Sequence, residues 1–153
     1  MPTIAPFLWY DTEAEEAANF YVAIFPNSRI NRIARSADAP ANANGVLLVD
    51  FELDGQRHLA LNGGPGHPFN DAVSLMVHCQ TQAEIDRYWA ALTADGGAEI
   101  ACGWLRDKYG LRWQIVPESI GELLAGADRA KAGRVLAAVM AMTKLDLARL
   151  EQA

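Results

Sequence analysis

Cysteine is scarce in this chain. Cys79 and Cys102 are the only two in 153 residues, and they form no CxxC pair. That count and spacing exclude a zinc knot and a disulfide framework, so a reducing cytoplasm is the expected home. No apolar run is long enough to span a bilayer, and no membrane partner is expected. The N-terminal stretch MPTIAPFLWYD has neither a positively charged lead nor a cleavage pattern, and it reads as mature structure. Basic residues are in the minority, 13 Lys and Arg against 19 Asp and Glu, and they are scattered. Nucleic acid is therefore excluded as the main partner. Histidine occurs three times, as His58, His67 and His78, at spacings that fit no helical or hairpin ligand pair. Glycine clusters in Gly63-Gly-Pro-Gly-His-Pro68, but no phosphate-cradling GxGxxG or GxxxxGK is present. That segment reads as a linker between two halves.

Apolar residues make up 51% of the chain, enough for one single-domain core over 1–153. The organising stretch is CGWLRDKYGLRWQIVP, Cys102–Pro117, which has the shape of a β-hairpin. Cys102–Leu105 runs in, Arg106–Gly110 turns, and Leu111–Val116 runs out. Alternation places Leu111, Trp113 and Ile115 on one face and Arg112, Gln114 and Val116 on the other. Gln114 is the odd residue, a neutral amide in mid-strand.

Taken in order, Ile4–Tyr10 reads as a strand. Thr12-Glu-Ala-Glu15 is a capping box that opens a helix carrying Ala17, Phe20, Tyr21, Ile24 and Phe25. Ser28–Arg35 reads as an edge strand, and Ala37–Gly45 as a loop. Val46–Leu53 and Arg57–Asn62 are strands joined by the hairpin signal Asp54-Gly55. The second half repeats this order. A strand over Val73–Cys79 precedes the capping box Thr81-Gln-Ala-Glu84, and Glu99–Leu105 leads into the closing hairpin. The aromatic spacing recurs as well, with Thr12-x-Ala14-Glu15-x4-Phe20 matched by Thr81-x-Ala83-Glu84-x4-Trp89. Two boxes with one spacing indicate duplication. The expected units are 1–62 and 73–117, followed by a helical tail, 118–153. Ser119, Asp128 and Asp146 are its caps, and Val135, Leu136, Val139, Met140 and Met142 form its apolar stripe. The tail reads as a lid on the sheet or on a partner subunit.

Two βαβββ units in one chain resemble the vicinal oxygen chelate superfamily of glyoxalase I and the bleomycin-resistance proteins. Within it the chain is most similar to the PhnB-like branch, which often carries a demethylubiquinone methyltransferase label. The motifs that carry the likeness are PFLWYDTEAEEAANFYVAIFPNSRI, FELDGQ, LALNGG, CGWLRDKYGLRWQIVP and AKAGRVLAAVMAMTKLD. The resemblance implies an α+β fold, with two half-open barrel sheets around a small-molecule pocket, C-terminal helices, and pairing into a homodimer. The methyltransferase label finds no support in the residues. The strand-to-helix turns Asp11-Thr12 and Gln80-Thr81 lack the glycines that a nucleoside cofactor needs.

Metal-dependent members of that superfamily place His, Glu or Asp at four pocket positions. On this chain they fall at Pro6 (or Ala5), at Ala60 or Asn62, at Ser74 and at Gln114. None of these is a carboxylate or an imidazole, so no metal and no other cofactor is expected. What is left is a cavity expected to be lined by Trp9, Phe51, Trp104 and Trp113. Asn62, Ser74 and Gln114 are its hydrogen-bonding groups, and Cys102 opens onto it. The first functional reading is metal-independent binding of a small molecule. The second is a lyase, isomerase or dioxygenase with a metal on atypical ligands such as Glu52, His58 or His78. The third is an interaction module with a vestigial cavity.

Overall fold

Alternation and capping become eight strands and five helices in the computed structural model, which describes residues 1–153. The chain divides into two compact units, Met1–Pro68 and Phe69–Ala153. The first holds β1 (Phe7–Tyr10), α1 (Ala14–Ile24), β2 (Arg29–Arg35), β3 (Val46–Leu53) and β4 (Gln56–Asn62). Its sheet runs β1-β4-β3-β2, with β1 parallel to β4 and the other pairs antiparallel. The second holds β5 (Ser74–Cys79), α2 (Gln82–Thr93), β6 (Ala98–Glu99), β7 (Trp104–Arg106) and β8 (Arg112–Pro117). Its sheet runs β5-β8-β7-β6, with β5 parallel to β8. The duplicated motif is thus a duplicated topology, in an α+β fold of two open four-stranded sheets.

Each sheet is covered on one face by its own helix. In α1, Ala14, Ala17, Ala18 and Tyr21 recur at helical spacing and are buried, the small alanines letting the helix lie close to β3. Phe20, Ile24 and Phe25, expected in that stripe, are only partly covered. In α2 the buried set is Ile85, Tyr88, Trp89 and Leu92. The Asp54-Gly55 hairpin forms as expected, with φ of +49° and +74° at the two residues, the left-handed pair that such a turn requires.

Four local expectations change. The first strand is shorter than Ile4–Tyr10. Pro6 has no amide to donate, and only its carbonyl joins the sheet, accepting from the Leu59 amide. The Thr12 capping box does not close. Glu13 sits at the helix start without a side-chain cap, and Asn62 from β4 accepts the Ala14 amide at 2.8 Å instead. The incoming strand of the C-terminal hairpin begins at Trp104, because Cys102 (φ +58°) and Gly103 (φ +83°) break the run into two short strands. Ser119 makes no side-chain cap on α3 (Ile120–Ala125). Three other caps form as read. Thr81 accepts from the Glu84 amide, Asp128 caps α4 (Arg129–Met140), and Asp146 caps α5 (Leu147–Glu151).

The tail belongs to the second unit. Val135, Val139, Met142, Leu145 and Leu150 close over Val116 and Ile120 in one apolar cluster. Leu136 and Met140, expected in the same stripe, point outward. No helix is long and apolar enough to cross a membrane.

Candidate functional site

A pleated strand offers its side chains alternately to two faces, and the helix decides which face is closed. In the first unit Leu8, Tyr10, Val49, Phe51, His58, Ala60 and Asn62 are buried on the α1 side. The opposite face carries Phe7, Trp9, Leu48, Asp50, Arg57, Leu59 and Leu61. In the second unit Leu105, Trp113 and Ile115 lie on the α2 side. Ser74, Met76, His78, Trp104, Arg106, Arg112, Gln114 and Val116 share the other. The expected site residues therefore divide by face.

Phe51, Asn62 and Trp113, three of the expected cavity residues, belong to the framework instead. Phe51 is fully buried between Tyr21 and His58. Asn62 is 1% exposed, and both ends of its amide are used. Its Oδ1 accepts from Ala14 and its Nδ2 donates to the Val46 carbonyl at 3.0 Å. Trp113 donates its indole N–H to Asp107 Oδ2 at 2.9 Å. Asp107, one of the charges in the Arg106–Gly110 turn, is 1% exposed and organises the hairpin. Its other oxygen accepts from the Tyr109 and Leu111 amides at 2.8 and 3.1 Å. An Asp two residues before a turn amide and six before a tryptophan was the available signal.

Trp9 is occupied locally. Its indole N–H donates to the Gly64 carbonyl at 2.9 Å, and the His67 ring lies 4.4 Å from its own. A methyl group at Gly63 would run into the indole, so this linker glycine is required for close approach. Cys102 lies in the turn before β7, packed against the tail cluster.

Ser74, Trp104 and Gln114 are brought together. Gln114 Nε2 donates to Ser74 Oγ at 2.8 Å, and both residues are half-buried. Strand register makes Met76, Gln114 and Trp104 one row across three strands. Met76, which the sequence reading did not single out, is 45% exposed there. The next row is Ser74, Arg112 and Arg106. Arg112 is held by Asp71 at 2.7 Å and by the Gly110 and Phe69 carbonyls. With Gln114 Nε2 engaged on Ser74 Oγ, the serine hydrogen, the amide oxygen and the second amide hydrogen are left over for another partner. Together the two rows offer a hydrogen-bonding pair, Ser74 and Gln114, beside the apolar Trp104 and Met76.

The repeat that aligns Thr12 with Thr81 also aligns Phe7 with Met76, and their strand partners are Leu59 and Gln114. The superfamily's second position therefore falls on Leu59; Ala60 and Asn62 face the helix. Ala5, Leu59, Ser74 and Gln114 supply no anionic or imidazole donor, so the residues do not fit a divalent transition metal. The atypical ligands fare no better. Glu52 pairs with Arg29 at 3.0 Å. His58 is 4% exposed, with Nδ1 on the Gln56 carbonyl and its pKa held below the usual value, chiefly by burial. His78 lies in the other unit, and no three His, Cys, Asp or Glu side chains converge anywhere. A nucleoside methyl donor does not fit either. Both strand-to-helix turns lack glycine, and the sheets are mixed rather than parallel.

A hollow of about 520 Å³ lies elsewhere, between the ends of β5 and β8 and helices α3 and α5. Cys79, Glu118, Glu122 and Glu151 are among its lining residues, and none of the expected cavity residues is. Burial, reinforced by Glu84, pushes the Cys79 thiol up to about 11, so it stays protonated and unreactive at neutral pH.

The family described as 3-demethylubiquinone-9 3-methyltransferase matches residues 2–116. A PhnB protein from Bacillus cereus, whose description carries the same methyltransferase name, is 34% identical, with a TM-score of 0.67 over 75% of this chain and 99% of its own. A protein from Pseudomonas aeruginosa is 17% identical, with a TM-score of 0.62 over 76% of this chain and 98% of its own, a likeness of fold alone. No curated protein matches the chain. A match over most of the chain, a relative above 30% identity and the duplicated βαβββ topology agree: this chain belongs to the 3-demethylubiquinone-9 3-methyltransferase family, the PhnB-like branch of the vicinal oxygen chelate superfamily.

Proposed function

We propose that this protein binds a compact, uncharged small molecule on the open face of the second sheet, without a metal. The observation that carries the reading is the Gln114–Ser74 hydrogen bond of 2.8 Å, half-buried and in register with Trp104. A buried ligand needs a few convergent polar points on an apolar surface. Here Gln114 Oε1 accepts, Ser74 donates, and Trp104 and Met76 supply the apolar bed. A cyclic or aromatic compound with one hydroxyl satisfies all of them, donating to Gln114 Oε1 and accepting from Ser74, whereas a carbonyl satisfies the serine alone. The enzymatic alternative, glyoxalase- or dioxygenase-type chemistry, requires a donor set that these positions do not supply. The same reading carries a homodimer in the reducing cytoplasm. The outward-facing Leu136 and Met140 and the two free cysteines support it.

The test is a thermal-shift screen of small hydroxy- and keto-aromatic compounds, followed by calorimetry on each hit. A ligand that binds only the folded state raises the midpoint. Gln114→Leu is expected to weaken binding by about tenfold to a hundredfold, the cost of leaving a ligand polar group unpaired. Hits that bind Gln114→Leu as tightly as the parent protein, or no hit at all, would defeat the assignment. Light scattering that reads a monomer at micromolar concentration would defeat the dimer.

A further inference from the structure

Gln114 and Val116 are two residues apart on β8, so the pleat puts both on the face that α2 leaves open. Their surroundings differ sharply. Gln114 is half-buried, whereas Val116 is sealed beneath Val139, Met142 and Leu145 of the tail. The tail is fastened there by backbone as well as by packing. The Cys102 amide donates to the Met142 carbonyl at 2.8 Å, and the Gly103 amide to the Thr143 carbonyl at 2.9 Å. From α2, the Gln82 side chain donates to the Leu145 carbonyl at 3.0 Å and accepts from the Leu147 amide at 2.8 Å. Lys144 and Asp86 add an ion pair of 2.6 Å. Trp104, the partner of Gln114 across the strands, follows directly on the Cys102–Gly103 step that holds the tail. The tail that is fastened there lies beyond the residues that the family match covers. The family match stops at residue 116, and the Bacillus cereus relative is spanned over 99% of its length by 75% of this chain.

We propose that the tail, 118–153, is the end wall of the Ser74–Gln114 site and sets the length of ligand it accepts. A molecule lying on Trp104 with its polar end on Gln114 meets Met142 and the covered Val116 as it extends along β8. The site takes short ligands and rejects long ones, and the rejection comes from a segment that the family match does not include. This inference rests on the binding reading above and adds its size limit.

The probes are phenol and its 4-ethyl, 4-butyl and 4-hexyl derivatives, titrated calorimetrically into the full chain, Gln82→Ala and Met142→Ala. Hydrogen exchange of the Cys102 and Gly103 amides reports whether the wall has loosened. In the parent protein, affinity is expected to rise with the short alkyl groups and fall for 4-hexylphenol. Gln82→Ala is expected to speed exchange at those two amides and to favour 4-hexylphenol over 4-ethylphenol by about tenfold relative to the parent, the scale of one to two methylene groups in an apolar pocket. If Gln82→Ala leaves the amides protected, the same ratio in Met142→Ala decides. Affinity that climbs through hexyl in the parent, or a length preference unchanged when the wall is loosened, overturns the wall while leaving the site. Failure of every phenol to bind every variant overturns both.

Discussion

The two units share one topology and stabilise it by different means. In the first, α1 is capped from a distance, because Asn62 on β4 reaches across to the Ala14 amide. In the second, α2 is capped locally, by Thr81 on the Glu84 amide and by Glu84 on the Gln80 amide. The β3–β4 turn needs only the two left-handed residues Asp54 and Gly55, while the β7–β8 turn is built around the buried Asp107. Their open faces differ as well. On the first, Asp50 is paired with Arg57 at 2.8 Å, which holds its carboxyl below the usual carboxylate range, and Leu59 occupies the place of Gln114. The second carries the neutral Ser74–Gln114 pair. Even the cover at the strand ends differs, a glycine linker on Trp9 in one unit and the helical tail on Val116 in the other. Duplication conserves strand order, whereas side-chain chemistry drifts face by face.

The comparison can be broken at a fully buried carboxylate. Asp107→Ala leaves the Trp113 indole N–H and two turn amides without their acceptor, and a loss of about 3 kcal/mol is expected in denaturant unfolding. A loss below about 1 kcal/mol would show that the carboxylate is replaceable by water. Asn62→Leu comes next, expected to cost about 2 kcal/mol because the buried Ala14 amide and Val46 carbonyl both lose a partner. Thr81→Ala, its counterpart at an exposed cap, is expected to cost about 1 kcal/mol or less. Equal effects of these two substitutions would erase the distinction between distant and local capping.

The last test changes pH. His58 is buried in the first unit and takes a proton less readily than in the unfolded chain. Below about 6.5 the unfolded state binds the proton first, so stability falls as pH drops from there through the lowered folded value. Urea midpoints measured from pH 7.5 to 5 are expected to show this decline, and His58→Phe is expected to flatten it. A decline of the same slope in His58→Phe would place its origin elsewhere.

The elements themselves were legible because their signals are local. The β3 boundaries, the Asp54-Gly55 turn, and the caps at Thr81, Asp128 and Asp146 each depend on residues within a few positions of one another. So does the repeat, since two copies of one pattern are visible without knowing how either folds. Thr12 was misread for the same reason. Its capping box is locally sound, but an asparagine 48 residues beyond the Ala14 amide takes that donor. Of the candidate site, only the placement of its residues on strands and faces was legible. Alternation separates Gln114 from Trp113, as the strand has them, and Ser74 opens the second unit's first strand.

What the sequence by itself determined is the duplicated order of strands and helices, the family, and the lack of metal donors at the expected positions. Only the tertiary structure decided which face of each sheet is closed. A period of two assigns residues to two sides but names neither as the inside, and the choice is made by the helix that lands there. That landing turned Phe51, Asn62 and Trp113 into framework and left Ser74, Trp104 and Gln114 on the open side. It also decided the reach of the tail. An apolar stripe says only that something must cover it, and packing selected Val116 as the surface that does.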